Sequence, residues 1–175
     1  MIKLRFIFLI VLFIAIDQGT KLYIKHTMMN DRFHILGDII QFRPKINREY
    51  SWVNSFFNLG VNKMIHIIFT IITLLVVIVA YQFVRTTYGT NQWMDIAYMV
   101  IMAGGTCSFL DKVFWGGSLD YILIKDWFIF DLKDAYITVF AVICISLLIK
   151  NYEKAKGLSN KMLLADFKKY IRGSK

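Results

Sequence analysis

The sequence predicts an all-α membrane protein with four transmembrane helices, a small extracytoplasmic cap that contains β-strands, and both termini in the cytoplasm. Hydrophobic residues make up 57% of the 175 positions, far more than in a usual soluble domain. Four apolar stretches are each long enough, as helices, to cross about 30 Å of hydrocarbon. The net charge of +9 comes from basic residues that flank these stretches, which favours membrane lipids over nucleic acid as the partner.

The first span resembles a signal peptide, but Asp17 follows its apolar part where a small-residue cleavage site would stand, so an uncleaved helix is predicted. Lys3 and Arg5 precede the apolar stretch from Phe6 to Ile16 in this span, and a cluster of basic residues follows the last span. Because an even number of spans puts both ends on one side, the positive-inside rule places both in the cytoplasm. The predicted spans are about Leu4 to Ile24, Met64 to Val84, Met94 to Phe114 and Phe128 to Ile149.

Residues 1–150 are predicted to form the transmembrane domain, with an extracytoplasmic loop at about 25–63. In this loop, strand-forming residues from Phe33 to Phe42 surround a Gly37-Asp38 turn signal, before Pro44 interrupts the pattern, so we expect a small hairpin. The basic tail, 151–175, has apolar residues at helical spacing between Leu163 and Ile171. An amphipathic helix on the inner leaflet and a frayed soluble tail are both compatible with that spacing.

Several kinds of site find no support in the sequence. Cys107 and Cys144 fall inside predicted spans and lack the spacing of a metal site or a disulfide scaffold, so we expect free thiols. The sequence has no Gly-x-Ser-x-Gly and no His-Glu-x-x-His, the patterns of common serine and zinc hydrolases. Its three histidines are scattered. We therefore expect no metal.

Carboxylates within or beside the spans are the residues that need a function, because an ionisable group there costs roughly 3 kcal/mol. Asp17 and Lys21 are four residues apart on one helix face, which favours a structural ion pair. Asp111 stands beside Lys112 and could form another pair, with the lysine reaching outward. Asp120 follows in a predicted turn. These groups are predicted to lie near the outer leaflet.

Asp131 and Asp134 lie three residues apart near the start of the fourth span, where the helix dipole favours negative charge. Two carboxylates brought together in a low-dielectric site share a proton and can polarise a water molecule. This is the chemistry of an aspartic protease. Position and charge alone leave open whether Asp111 or Asp120 pairs with Asp134.

Five short motifs, in order, resemble those of the lipoprotein signal peptidases (signal peptidase II). Each is weak alone, but their order and spacing make the resemblance specific, and it extends from about Asp17 to Ile149. The motifs are Asp17-Gln-Gly-Thr-Lys21, Ile46-Asn47, Gly104-Gly-Thr-Cys-Ser-Phe-Leu-Asp-Lys112, Leu119-Asp120-Tyr121 and Phe130-Asp-Leu-Lys-Asp134.

The resemblance implies that Asp120 and Asp134 are the catalytic dyad of an aspartic endopeptidase. It implies that Asn47, Ser108, Lys112 and Asp131 bind substrate, and that Asp17, Lys21 and Asp111 support the site. The implied substrate is a diacylglyceryl-modified prolipoprotein, cut near the outer face of a bacterial plasma membrane. No cofactor is implied, and we expect a monomer.

The sequence departs from the family pattern at several of these positions. Ser108 and Asp131 replace asparagines, Lys112 replaces an arginine, Lys133 replaces an alanine, and Glu49-Tyr50-Ser51-Trp52 replaces Gly-x-Ala-Phe. A lysine lacks the bidentate fork of an arginine, so Lys112 would hold a peptide carbonyl with less geometric control. These departures keep open the alternative of an inactive relative that binds lipidated peptides. A small membrane transporter, which would also explain carboxylates within the spans, is kept as a second alternative.

Overall fold

Four helices of the described part of the chain are long and apolar enough to cross a membrane, as predicted. The structure is a computed structural model that describes residues 4–125, 127–152, 156–157 and 159–173. Lys3 and Lys154, which contribute to the predicted orientation, lie outside the described residues. The four helices are α1 (Leu4–Tyr23), α3 (Lys63–Thr87), α4 (Gln92–Leu110) and α5 (Leu132–Lys150), and π-helical turns extend α1 over Ile24–Met28 and α4 over Asp111–Trp115.

A four-stranded antiparallel sheet packs at one end of these helices. Its strands are β1 (Phe33–Leu36), β2 (Ile40–Asn47), β3 (Ser118–Ile124) and β4 (Phe128–Phe130), and they lie in the order β1-β2-β3-β4. A short helix, α2 (Trp52–Phe57), follows β2. The β1–β2 hairpin turns at Gly37, whose φ is +48°, and confirms the predicted hairpin.

Two predictions about strands were wrong. Pro44 does not end the pattern but lies inside β2, where the pairing with β3 shifts register between Phe42 and Lys45. A proline, which has no N–H to donate, is tolerated at such an irregularity. Asp120 lies in β3 rather than in a turn, because the chain turns earlier, at Gly116 and Gly117, and then pairs with β2.

The fourth helix begins at Leu132, later than the predicted Phe128, because β4 takes up Phe128–Phe130. Asp131 is the N-cap of α5, so it precedes the helix instead of lying on its face. Its side chain accepts from the backbone N–H of Asp134, and the Asp134 side chain accepts from the N–H of Asp131. This capping box fixes both carboxylates at the start of α5.

Helix α4 is the centre of the bundle and contacts α1, α3 and α5. Two adjacent glycines permit this close approach. A Cβ at Gly104 would lie 3.2 Å from the backbone oxygen of Lys133, and one at Gly105 would lie 2.7 Å from Leu74 Cδ2. Cys107 in α4 and Cys144 in α5 are free thiols, as predicted.

Part of the basic tail forms a helix, α6 (Asn160–Ile171), which begins at the N-cap Ser159. The Phe167 ring packs edge-on against Phe83 of α3, with ring centroids 5.2 Å apart. The hydroxyl of Tyr88 donates to Asp166 at 2.7 Å. These contacts join α6 to the end of α3, and its predicted place on the inner leaflet stays a prediction.

Candidate active site

Lys21 of α1 is buried beneath the sheet and binds three carboxylates. Its Nζ lies 2.9 Å from Asp17, 2.7 Å from Asp111 and 2.7 Å from Asp131. The predicted Asp17–Lys21 pair is present but is part of a larger network. Asp111 binds Lys21 rather than its neighbour Lys112, which corrects the predicted Asp111–Lys112 pair.

Lys133 of α5, at a position where the sequence departs from the family pattern, forms a second cationic centre. Its Nζ lies 2.6 Å from Asp131 Oδ2 and 2.6 Å from Ser118 Oγ. The same atom lies 3.6 Å from Asp120 Oδ1 and 3.7 Å from Asp134 Oδ1. A buried ammonium therefore stands between the two predicted catalytic carboxylates.

Ser118 is a further residue that sequence reasoning missed. Its hydroxyl lies 2.7 Å from Asp120 Oδ1 and within 3.2 Å of oxygens of Asp111 and Asp131. Side chains two residues apart in a strand share a face, so the spacing from Ser118 to Asp120 was the available signal. It went unused because this segment was predicted to be a turn.

Gln18 is another residue that the sequence analysis missed. It donates to Asp17 at 2.9 Å and to Asp111 at 3.1 Å, and it accepts from the Trp115 indole at 3.0 Å. The missed signal was its position next to Asp17. Gln18 thereby connects α1 to the π-helical turn after α4.

Asp120 and Asp134 approach each other from different elements, β3 and the first turn of α5. Oxygens of Asp120, Asp131 and Asp134 lie within 4.8 Å of one another. Asn47 at the end of β2 donates to Asp120 Oδ2 at 3.3 Å, and its own oxygen accepts from the backbone N–H of Glu49 at 3.0 Å. The predicted dyad and Asn47 are thus brought together.

Three neighbouring carboxylates could hold a divalent cation by their spacing. Here, however, Lys133 Nζ lies 2.6 Å from Asp131, 3.6 Å from Asp120 and 3.7 Å from Asp134. The ammonium therefore already supplies positive charge to all three groups, and a metal ion would have to compete with it.

Burial and neighbouring charges shift the two aspartates outside the spans in opposite directions. Burial raises the pKa of Asp120 above its ordinary value, and the charge of Asp131 adds to this, while Lys133, Ser118 and Asn47 act against it. Burial alone would also raise the pKa of Asp131, but Lys133 and Lys21 outweigh it and hold that pKa below its usual value. Asp131 is thus a fixed anion, whereas Asp120 accepts a proton more readily than an exposed aspartate.

Asp17, Asp111, Asp120, Asp131 and Asp134 form a cluster of five carboxylates. A cavity of about 950 Å³ opens beside this cluster, and only some of its members line the cavity. Asp120 and Asp134 line it, while Asp17, Asp111 and Asp131 are not among the lining residues. Asp131, predicted to bind substrate, is 1% exposed and caps α5, so it lies outside the cavity lining, and its role stays a prediction. The cavity continues between α3, α4 and α5 along apolar side chains, among them Phe69, Leu74, Val77, Ile101 and Ile137.

The remaining predicted substrate-binding residues also line this cavity. Asn47, Ser108 and Lys112 all belong to its wall. Lys112 Nζ donates to the backbone oxygen of Ser108 at 3.2 Å and also contacts the Ser108 hydroxyl. The two substituted positions of this motif therefore bind each other, and these contacts orient the Lys112 ammonium.

The sequence of this chain is similar to those of known proteins. The family model described as Signal peptidase (SPase) II matches residues 9–150. A lipoprotein signal peptidase of Streptococcus agalactiae is 28% identical over 138 residues, which cover 77% of this chain and 84% of that protein. One of Streptococcus pyogenes is 28% identical over 146 residues, 82% of this chain and 91% of the relative, and one of Staphylococcus aureus is 27% identical over 154 residues, 85% and 90%.

Solved structures show the same fold. A bacterial membrane enzyme determined by the in meso method at 2.3 Å resolution superposes with a TM-score of 0.68 at 23% identity, and the match covers 89% of this chain and 93% of that one. A second such structure, at 1.9 Å resolution, gives a TM-score of 0.67 at 23% identity, with 84% and 94% covered.

Proposed function

The chain belongs to the signal peptidase II family, and we propose that Asp120 and Asp134 are the catalytic dyad of an aspartic endopeptidase that acts on lipidated prolipoproteins. The proposal rests on which of the carboxylates line the cavity. Of the five carboxylates in the cluster, only Asp120 and Asp134 line the cavity, so only these two can meet a substrate there. Asp111, the alternative partner for Asp134, is 1% exposed and bound by Lys21.

The proposed reaction needs one carboxylate ionised and the other protonated. The ionised one accepts a proton from water as the water oxygen attacks the scissile carbonyl carbon, and the protonated one donates to the carbonyl oxygen. Collapse of the tetrahedral intermediate breaks the C–N bond, and a proton passes to the leaving amine. Burial raises the pKa of Asp120 above its ordinary value, which suits a group that has to take up and release a proton.

The shape of the cavity supports a lipidated peptide as substrate. Its polar end holds Asp120, Asp134 and Asn47, while its other end is walled by apolar residues of the spans such as Leu74 and Val77. A diacylglyceryl group beside the scissile bond would anchor the peptide at this depth. We therefore propose that the protein removes the signal peptide of diacylglyceryl-modified prolipoproteins near the outer face of a bacterial plasma membrane, with both termini cytoplasmic.

The contact between Lys133 and Ser118, at 2.6 Å, also has the spacing of a serine–lysine pair, in which a neutral lysine activates the serine. The surroundings oppose that reading. Lys133 lies within 3.7 Å of four carboxylates, which hold it as an ammonium. Carboxylate oxygens also surround the Ser118 hydroxyl, so an alkoxide there would be repelled. Ser118 is better explained as a ligand of Asp120.

A transporter would need polar groups along the whole membrane thickness. The described ion pairs lie near the sheet, the contacts that link Arg85, Tyr81 and Asp95 lie near the other end of α3 and α4, and the cavity becomes apolar away from the sheet. An inactive relative would keep the cavity and bind lipidated peptides without cutting them. Only a cleavage assay separates it from a peptidase.

The test is incubation of purified protein in detergent with a diacylglyceryl-modified prolipoprotein, with release of the signal peptide as the readout. Wild type is expected to cleave this precursor and to cleave its unlipidated form poorly. Asp120→Asn and Asp134→Asn are each expected to abolish cleavage while the protein stays folded. Asp111→Asn is the matched control within the same cluster. Activity in folded Asp120→Asn but not in folded Asp111→Asn would reassign the dyad to Asp111 and Asp134.

A further inference from the structure

Lys133 occupies an unfavourable place for a lysine unless its charge has a use. It lies in the first turn of α5, two residues after the N-cap, where the helix dipole repels positive charge. It is also only 7% exposed at the end of a predicted span, where an unpaired charge is costly. The surrounding carboxylates must therefore stabilise it.

Asp131 supplies part of this stabilisation but does not use up the charge of Lys133. Its Oδ2 lies 2.6 Å from Lys133 Nζ and also 2.7 Å from Lys21 Nζ. One anionic oxygen is thus shared by two ammonium groups. Asp131 therefore balances the charge of Lys133 only in part. The Lys133 ammonium also attracts Asp120 and Asp134 on the cavity side, at 3.6 and 3.7 Å.

Lys133 is placed almost symmetrically between these two carboxylates. Asp131 and Ser118 anchor its Nζ at 2.6 Å each. Lys133 lines the cavity together with Asp120 and Asp134. An ammonium at this position stabilises negative charge on either carboxylate.

We propose that Lys133 is a positioning residue for the reaction: its ammonium, anchored by Asp131 and Ser118, stabilises the singly ionised state of the Asp120–Asp134 pair. Asp131 and Lys133 then act as one unit of zero net charge that replaces the neutral asparagine and alanine of the family pattern. This inference rests on the proposed dyad.

The other charged groups around Lys133 are fixed by their own contacts. Lys21 and Asp17 approach from α1, Asp111 and Lys112 from the end of α4, Asp120 from β3 and Asp134 from α5 itself. Lys21 binds Asp17, Asp111 and Asp131 directly. Removing Lys133 therefore leaves Asp131 with one cation but leaves Asp120 and Asp134 without a cation at comparable distance among the described ion pairs.

The test compares Lys133→Ala with the double variant Asp131→Asn/Lys133→Ala. Loss of the ammonium alone should move the pH profile of kcat/KM for the lipidated precursor to higher pH by about one unit or more, the size of effect that an opposite charge at ~4–6 Å produces. The double variant also removes the Asp131 anion, so its profile should lie closer to wild type. Lys150→Met, at the far end of the same helix, should leave the profile unchanged.

A second readout does not depend on cleavage. Infrared difference spectra of the folded proteins follow carboxyl protonation against pH, and the band lost in Asp120→Asn identifies Asp120. In Lys133→Ala this group should titrate at higher pH than in wild type, with the double variant between them. Coincident titrations of wild type and Lys133→Ala would overturn the inference, even where cleavage confirms the proposed function. A shifted titration in a protein that cleaves nothing would support the inference about charge and overturn the peptidase.

Discussion

The ammonium of Lys21 lies 2.7 Å from Asp131 Oδ2, so the first span is tied directly to the cap of the fourth. The same ammonium also binds Asp17 and Asp111. Lys21 and Asp17 are both fully buried, so no solvent replaces these contacts. One lysine thereby joins α1, the end of α4 and the start of α5 below the candidate dyad.

Replacement of Lys21 by methionine is expected to destabilise the fold severely. It leaves three buried carboxylates without their shared cation, and breaking such a network costs about 3–5 kcal/mol. Thermal unfolding in detergent should show a much lower midpoint or loss of folded protein. Lys161→Met, on exposed α6, is the control and should unfold like wild type.

Asp17→Asn should be milder than Lys21→Met. From the sequence alone we expect it to strand Lys21, but the structure leaves Lys21 with Asp111 and Asp131 at 2.7 Å each. The uncharged amide also keeps an oxygen that can accept. Equal losses of thermal stability in the two variants would contradict the shared role of Lys21.

The pattern of the sequence could predict the spans and the Asp17–Lys21 pair because both depend on local helix geometry. A run of apolar residues fixes a span, and a spacing of four fixes a helix face. The other partners of Lys21 are Asp111 and Asp131, which lie far from it along the chain. Nothing in local periodicity indicates which distant carboxylates a lysine will meet.

The centre of the site was less accessible to sequence reasoning because it depends on the sheet. The segment around Asp120 is a strand whose position comes from pairing with β2, and the isolated segment carries no such information. Ser118 and Lys133 meet only after β3 and α5 are both in place. The candidate dyad was chosen through the family resemblance, because the motifs of a family mark residues that meet only in the folded protein.

Gly117→Ala is expected to damage the site more than Gly116→Ala. Both glycines have positive φ, +62° at Gly116 and +157° at Gly117, which strains other residues. A Cβ at Gly117 would lie 2.5 Å from the backbone oxygen of Asn47, whereas one at Gly116 meets nothing within 4 Å. The clash should push β2 away from β3 and separate Asn47 from Asp120.

This comparison is read by thermal unfolding and by cleavage of the lipidated precursor. Gly116→Ala should lose about 1 kcal/mol through backbone strain and keep its activity. Gly117→Ala should lose more stability and most of its cleavage rate. Similar behaviour of the two variants would mean that the approach of β2 and β3 at Asn47 is unimportant.

The four spans and the basic residues that flank the first and last of them predict the membrane orientation. Reporter fusions at residue 1 and residue 175 should both read cytoplasmic, and a reporter inserted beside Asn47 should read external. The charge bias of short terminal segments gives this direction, and it puts the candidate dyad near the outer face. An external C-terminus would contradict the prediction.

Asn47 provides the last prediction, because its amide donates to the Asp120 oxygen that Ser118 does not contact. Its Nδ2 lies 3.3 Å from Asp120 Oδ2, and its Oδ1 accepts from the backbone N–H of Glu49. This donor lowers the pKa of Asp120 against the larger effect of burial. Asn47→Ala removes both contacts, so the pKa of Asp120 should rise further, and the acidic side of the pH–rate profile should move to higher pH.

Loss of a hydrogen bond to a charged group costs ~1.5–3 kcal/mol, so kcat/KM at neutral pH should fall roughly ten- to a hundredfold. Asn47→Asp separates the two contacts of the side chain. It keeps an oxygen for the Glu49 N–H, but it places negative charge opposite Asp120, so its profile should move at least as far as that of Asn47→Ala. If Asn47 serves only to hold the loop at Glu49, Asn47→Ala will instead lose stability but keep the wild-type pH profile, and the assigned role at Asp120 is wrong.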